Sequence, residues 1–174
     1  MEEYVILVDE NDFPIGSMEK MEAHKKGLLH RAFSVLLFND SGELLLQKRS
    51  GSKYHSPGLW TNTCCSHPRI NESVLDAGYR RLQEEMGITA SLEKSFDFIY
   101  KAQLDKGIVE HEFDHVLIGK FNDKPSINPD EVDSWLYMHP EKILREFEAN
   151  PENWTEWFKI ILPKVYLSQT QRIA

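Results

Sequence analysis

Cysteine is scarce in this chain: 174 residues carry only two, Cys64 and Cys65, side by side. Adjacent thiols are badly placed for an unstrained disulfide, and two of them make no secreted framework. Long apolar runs are missing as well. Stretches such as "FSVLLF" and "HVLIGKF" fall far short of the roughly 20 residues that a membrane-crossing helix needs. The acidic start "MEEYVILVDE" has neither the basic opening nor the apolar stretch of a signal peptide. A cytoplasmic protein with no membrane partner is the expectation. Positive charge is short too: 20 Lys and Arg against 28 Asp and Glu leave a net charge of −8. With no basic tail or stripe, a nucleic-acid partner is not expected. A small anionic ligand remains compatible, because Lys20, Lys48, Arg49, Lys53, Arg80 and Arg81 can gather locally. Repeats, low-complexity tracts and linker-like stretches are absent, so residues 1–174 read as a single domain, a monomer or weak dimer.

What is present patterns clearly. "YVILVDENDFPIGS" reads as a strand, a polar turn and a re-entry, and "MEKMEAHKKGLLH" as helix-like or a loop with a short turn. Two apolar strands around Asn39–Gly42 give a hairpin signal in "AFSVLLFNDSGELLLQKR". "SGSKYHSPGLW" reads as a loop. A helix follows, with Asn71 or Ser73 as N-cap, Val74, Leu75, Leu82 and Met86 as apolar positions and Gly87 as the stop. "SFDFIYKAQL" and "GIVEHEFDHVLIGKF" form a second strand pair, "SWLYM" a short strand, and "PEKILREFEAN" and "NWTEWFKIILPKVYL" two closing helices. This mixture implies an α/β (mixed α+β) layered architecture.

Three groups of side chains carry chemistry. Glu84 and Glu85 share a helix face with Arg80 and Arg81; taken alone, such a run is an ion-paired surface. In "VEHEFDH" strand alternation puts Glu110, Glu112 and Asp114 on one face and His111, Phe113 and His115 on the other. Carboxylates spaced this closely need a cation or proton between them unless water surrounds them. His24, His30 and His67 stand near these features. Three imidazoles with two carboxylates suit an octahedral ion such as manganese or magnesium better than a four-ligand structural zinc site.

The segment from Ser66 to Ile88 resembles the Nudix box: Glu72, seven intervening residues, then "RRLQEEMGI". Two positions depart from the pattern. Ser66 replaces the leading glycine, and Arg81 replaces a glutamate that usually helps bind metal, which argues against hydrolysis. "LLHRAFS", "QKRSGSKYHSPGLWTNTCCSHP" and "GIVEHE", in this order, resemble type I isopentenyl-diphosphate isomerases, an offshoot of the Nudix fold. The likeness runs from Lys20 through Glu112, and more loosely to the last helix.

That resemblance implies a Nudix-type α-β-α sandwich, with a mixed sheet flanked by helices. It implies Cys65 and Glu112 as the catalytic pair, supported by Tyr100, and His24, His30, His67, Glu110 and Glu112 as ligands of an octahedral ion. That ion would be manganese or magnesium, with zinc a further candidate. Glu85 and the Cys65 carbonyl match the site of a second magnesium that arrives with the substrate diphosphate. Lys20, Arg49, Lys53 and Arg81 match basic positions around that diphosphate. Trp157 matches an aromatic that covers the hydrocarbon, with Trp154 one turn away as the competing choice and Trp60 as a second ring. The implied reaction is the reversible 1,3-allylic rearrangement of isopentenyl to dimethylallyl diphosphate, by protonation and deprotonation through a carbocation, in isoprene biosynthesis. The resemblance leaves the forward donor open; the sequence reading leans to Glu112 with Tyr100 as donor and Cys65 thiolate as acceptor. Two rivals stand beside it: a Nudix hydrolase of diphosphates, and a non-catalytic module in which the histidines hold a structural ion.

Overall fold

The computed structural model describes residues 3–173, so the outermost ends of the expected 1–174 domain lie outside the described residues. Nine strands and four α-helices follow in chain order: β1 (Tyr4–Val8), β2 (Pro14–Glu19), α1 (Lys20–Lys26), β3 (His30–Phe38), β4 (Leu44–Arg49), β5 (Trp60–Thr61), β6 (Cys64–Ser66), α2 (Val74–Met86), β7 (Leu92–Gln103), β8 (Val109–Lys120), β9 (Val132–Met138), α3 (Pro140–Ala149) and α4 (Glu156–Ile173). None of the described helices is long and apolar enough to cross a membrane.

β3 is the pivot. Along one edge it pairs in parallel with β8, from His30 opposite Glu112 to Phe38 opposite Lys120, and β8 continues antiparallel into β7. Three partners share its other edge: β1 at His30, β6 from Phe33 to Val35, and β4 at Phe38 alone. The expected hairpin of β3 and β4 therefore exists only at its turn. Beyond it the strands part; β4 pairs instead with β9 and β5, and the short β6 occupies the gap. This divergence opens the cleft described below.

Period-two alternation sends the two faces of β3 into different cores. Phe33, Val35 and Leu37 pack with Leu82, Met86 and Ile88 of α2 and its C-terminal turn. Leu36 and Phe38 pack with Ile143 of α3 and with Trp157, Phe158, Ile161 and Leu162 of α4. A mixed sheet between helices is thus the observed layering, as the sequence pattern implies. α2 is capped by Ser73, whose side chain accepts from the Asp76 amide, and it stops at Gly87, a left-handed residue at φ 62°. A Cβ at that glycine would meet the Ser126 carbonyl at 2.5 Å, so the position requires glycine on two counts. Leu75, expected on the packed face, is instead 38% exposed; Ala77 and Gly78 take its place. Gly78 lets the helix lie close, since a Cβ there would meet Leu117 at 2.7 Å.

Candidate active site

Strand alternation decides which side chains enter the cleft. Adjacent Cys64 and Cys65 on β6 point to opposite faces: Cys64 is fully buried in the α2 core, and Cys65 reaches the α4 side opposite Ser34. On β8 the same alternation places Glu110, Glu112 and Asp114 inside. All three are buried, which removes the alternative of a solvated acidic face. On β4 a register shift between Lys48 and Arg49 interrupts the pairing with β9 and lets Arg49 into the cleft. The cleft is lined by Lys20, Arg49, Lys53, Cys65, His67, Arg81, Glu85, Tyr100, Glu110, Glu112 and Trp157; of the catalytic, metal and diphosphate residues that the resemblance implies, His24 and His30 alone are not in this lining.

His24 (α1), His30 (β3), His67 (after β6) and Glu112 (β8) converge, with one ligand atom from each lying within 4.8 Å of all the others. The His24 and His30 rings are 4.7 Å apart, and that of His67 is 5.4 and 5.0 Å from them. His24 donates Nδ1–H to the Lys20 carbonyl (2.7 Å) and His30 its own to the Leu28 carbonyl (2.8 Å). These bonds fix the tautomer and turn each Nε2 inward, where both are buried without a hydrogen-bond partner. Orphaned imidazole nitrogens facing a carboxylate are the donor set of a divalent cation, so the residues fit one. Burial favours the neutral, ligating form: it lowers His24, and it brings His67 down to about 3. Glu110, expected as the fifth ligand, stands just outside this group. It accepts from the Tyr100 hydroxyl at 3.0 Å and lies 4.0 Å from His55 Nε2.

Tyr100 ties the carboxylates together, donating also to Glu112 at 2.7 Å. The two glutamates are driven apart in acidity. Burial, then the charge of Glu112, pushes Glu110 well above the carboxylate range. Burial works the same way on Glu112, but His30, whose Nε2 lies 3.6 Å away, and His67, hydrogen-bonded at 3.0 Å, overcome it and hold Glu112 well below. Burial, then Glu110 and Glu112, raises Tyr100. At Cys65 burial raises the thiol, and only the Arg49 guanidinium opposes it among the main influences.

The cations at the mouth are engaged. Lys20 meets Glu3 at 2.9 Å, Lys53 pairs with Glu131, and Arg81 bonds Glu84, Glu85 and Glu131. Arg49 differs: it donates to the carbonyls of His55 and Ser56 and lies 5.2 Å over the Trp157 ring. Trp157 packs edge-on to His55 at 5.6 Å and is the tryptophan of the cleft. Trp154 instead packs on Phe147 and Phe158, and Trp60 packs against the α4 core, outside the lining. Lys48 stands 3.7 Å from Asp133 and Arg80 makes a bidentate pair with Glu72, so neither belongs to the basic group at the cleft.

Sequence reasoning missed His55, Tyr54, Gln47 and Glu131. His55 is buried in the lining, and burial brings it down to about 2. It lies in "SKYHSP", whose turn formers signal a loop and give no hint of burial. Glu131 lies in "PDEVD", which carries no signal at all.

The sequence pattern of the NUDIX domain matches residues 28–158. Lys20 and His24 precede that match. A protein of Serratia proteamaculans named isopentenyl-diphosphate Delta-isomerase is 48% identical over 174 residues, covering all of this chain and 97% of its own. One of Pectobacterium atrosepticum with the same name is 51% identical over 161 residues, 92% of this chain and 90% of its own. Among solved structures, DR0079 from Deinococcus radiodurans superposes with a TM-score of 0.80 at 20% identity, covering 94% of this chain and 99% of that one. A MutT protein from Methanosarcina mazei gives 0.64 at 20%, covering 78% and 91%. Both likenesses concern the fold alone.

Proposed function

The chain belongs to the isopentenyl-diphosphate isomerase family, built on a NUDIX domain, and from this premise we propose how its own residues move the double bond. The reaction converts isopentenyl to dimethylallyl diphosphate: a proton joins the terminal alkene carbon and another leaves the methylene next to the double bond. We assign the two transfers to Cys65 and Glu112. The observation that carries the assignment is their shared cleft: a thiol on β6 and a carboxylate on β8 are brought to one cavity from opposite edges of β3.

Protonating an unactivated alkene produces a tertiary cation, so the acid must be close and water excluded. Tyr100, 2.7 Å from Glu112, passes a proton to and from that carboxyl group. In the forward direction Glu112 with Tyr100 donates and Cys65, as thiolate beside Arg49, accepts; the reverse reaction exchanges the roles. Burial favours the Cys65 thiol, and the neighbouring imidazoles favour the Glu112 carboxylate; a forward turnover ends with that pair, and the proton then returns from Cys65 to Glu112 before the next. Trp157, buried against His55, offers its π face to the positive charge, worth about 2 kcal/mol when desolvated, and keeps water from trapping the cation as an alcohol.

His24, His30, His67 and Glu112 would hold a manganese or magnesium ion, with zinc a further candidate and Glu110 the fifth ligand that the family pattern implies. Glu85 and the Cys65 carbonyl would hold a magnesium ion on the diphosphate. Bound cations supply positive charge that anchors Glu112 and gathers phosphate oxygens. Lys20, Arg49, Lys53 and Arg81 bind the diphosphate, three of them by exchanging a carboxylate partner for phosphate. We read residues 1–174 as one domain working in the cytoplasm on a small diphosphate, as monomer or weak dimer.

Proton NMR of isopentenyl diphosphate in deuterated water, with protein, manganese and magnesium, tests this reading. Dimethylallyl diphosphate carrying deuterium in a methyl group is the expected product. Release of inorganic phosphate without alkene movement would replace the reading with hydrolysis.

A further inference from the structure

Glu85 is buried on α2, where its carboxylate oxygens need hydrogen-bond donors in place of water. Its Oε1 takes Arg81, and the thiol of Cys64 leans on it from β6. The third donor comes from a strand that no motif marks. Gln47 of β4 is 2% exposed, and its single amide nitrogen donates twice, to Glu85 Oε2 at 2.8 Å and to the carbonyl of Thr63 at 2.8 Å. Thr63 is in turn fixed at both ends: its hydroxyl donates to the Leu45 carbonyl at 2.6 Å and accepts from the Leu37 amide at 3.0 Å. One amide therefore joins α2 to the segment that carries Cys64 and Cys65, across the gap where β3 and β4 part.

From this geometry we infer that Gln47 is a positioning residue for the diphosphate-linked cation, setting Glu85 at a fixed distance from the Cys65 backbone so that both address one ion. The inference rests on the reading of Glu85 and the Cys65 carbonyl as that ion's protein ligands. Hydrogen-bond partners of this kind orient a ligating carboxylate, and their loss weakens metal affinity by about 10- to 100-fold. The two donations also explain a glutamine here in place of an aliphatic residue. β4 turns Leu45 into the α2 core, and at Gln47 it meets two acceptors that an apolar side chain would strand.

The test is calorimetric titration of inorganic pyrophosphate into manganese-saturated protein across a magnesium series. Native protein is expected to bind pyrophosphate more tightly as magnesium rises, and Glu85→Gln to lose that dependence. Gln47→Leu, of similar volume but without the amide, is expected to raise the magnesium concentration for half-maximal binding by about tenfold. Manganese content and pyrophosphate affinity in the absence of magnesium stay within about twofold of native. A merely structural role would lower Tm without moving the magnesium midpoint, and that result overturns the inference. If Gln47→Leu does not fold, Gln47→Asn, one methylene short, is read in the same way. Native protein indifferent to magnesium would remove the Glu85 site and the inference together. A magnesium response lost in Glu85→Gln but unaltered in both Gln47 variants would leave the site standing and sink Gln47 alone.

Discussion

The two faces of β8 each bring histidine and carboxylate together and come to opposite ends. Inward, Glu110, Glu112 and Asp114 are buried beside Tyr100, three imidazoles and a cleft. Outward, His115 packs on Phe113 at 5.3 Å between ring centroids and meets Asp12 at 3.0 Å, while Asp12 is bound twice by Arg31, at 2.7 and 2.6 Å. Histidine with carboxylate occurs on both faces, yet only the inner one leaves imidazole nitrogens converging on each other. The outer one spends His115 Nε2 on a clasp that holds the β1–β2 turn, where Asp12 sits at φ 65°, against the sheet, and its Nδ1, buried without a hydrogen-bond partner, faces no cavity and no second imidazole among the described residues. Proximity of His and Asp is therefore no sign of chemistry. A cavity and unspent donors are.

The largest expected effect breaks the inner face. Glu112→Gln and Cys65→Ala should each reduce isomerisation in the NMR assay by about a thousandfold or more, since each removes one of two proton-transfer groups. Circular dichroism should remain native. Activity loss confined to one of them would unseat the pairing. Chelation comes next: dialysis against a chelator should lower activity at least about a hundredfold and lower Tm, with manganese plus magnesium restoring both. Recovery with magnesium alone would assign the histidine site to that ion.

The outer face should respond in stability and leave catalysis near native. Burial lowers His115, with Lys94 and Arg31 acting in the same sense and Asp12 and Asp97 against. The folded protein thus prefers the neutral ring. As pH falls below about 6.5 the unfolded chain takes up the proton first, so this contribution is complete above that pH and is lost downward through the folded value. In manganese-saturated protein, His115→Gln should flatten the decline of Tm between about pH 7 and 5, with kcat within about twofold. A steeper decline in the variant would reverse the sign and refute the account. Smallest of all is Cys64→Ala. It trims a buried thiol from the α2 core, which costs about 1 kcal/mol, and activity within about twofold of native is expected. A loss matching that of Cys65→Ala would mean the two thiols have been assigned to the wrong faces.

Local signals were reliable where local physics decides. Ser73 and Gly87 bracket α2 because capping and a left-handed stop are properties of a few neighbouring residues. The inward carboxylates follow from strand alternation once β8 is recognised. Two failures, and one success that local pattern does not explain, have one origin. Leu75 fits the apolar count of α2 yet faces solvent, Trp60 joins the core and not the cleft, and Arg49 enters the cleft through a shift in strand pairing. Each depends on which element packs against which, a quantity of long sequence separation that periodicity does not contain.

Sequence by itself determined the ingredients: a layered α/β chain, an acidic strand, three histidines, and a cysteine segment in a pattern that identified the family. Tertiary structure decided their use. His24 and Glu112 are 88 residues apart along the chain, and they meet only because β3 runs parallel to β8 and sets His30 opposite Glu112. Parting of β3 from β4 creates the space, and burial in that space gives the imidazoles and carboxylates acidities that no stretch of sequence could state, since the cost of removing a charge from water depends on everything around it.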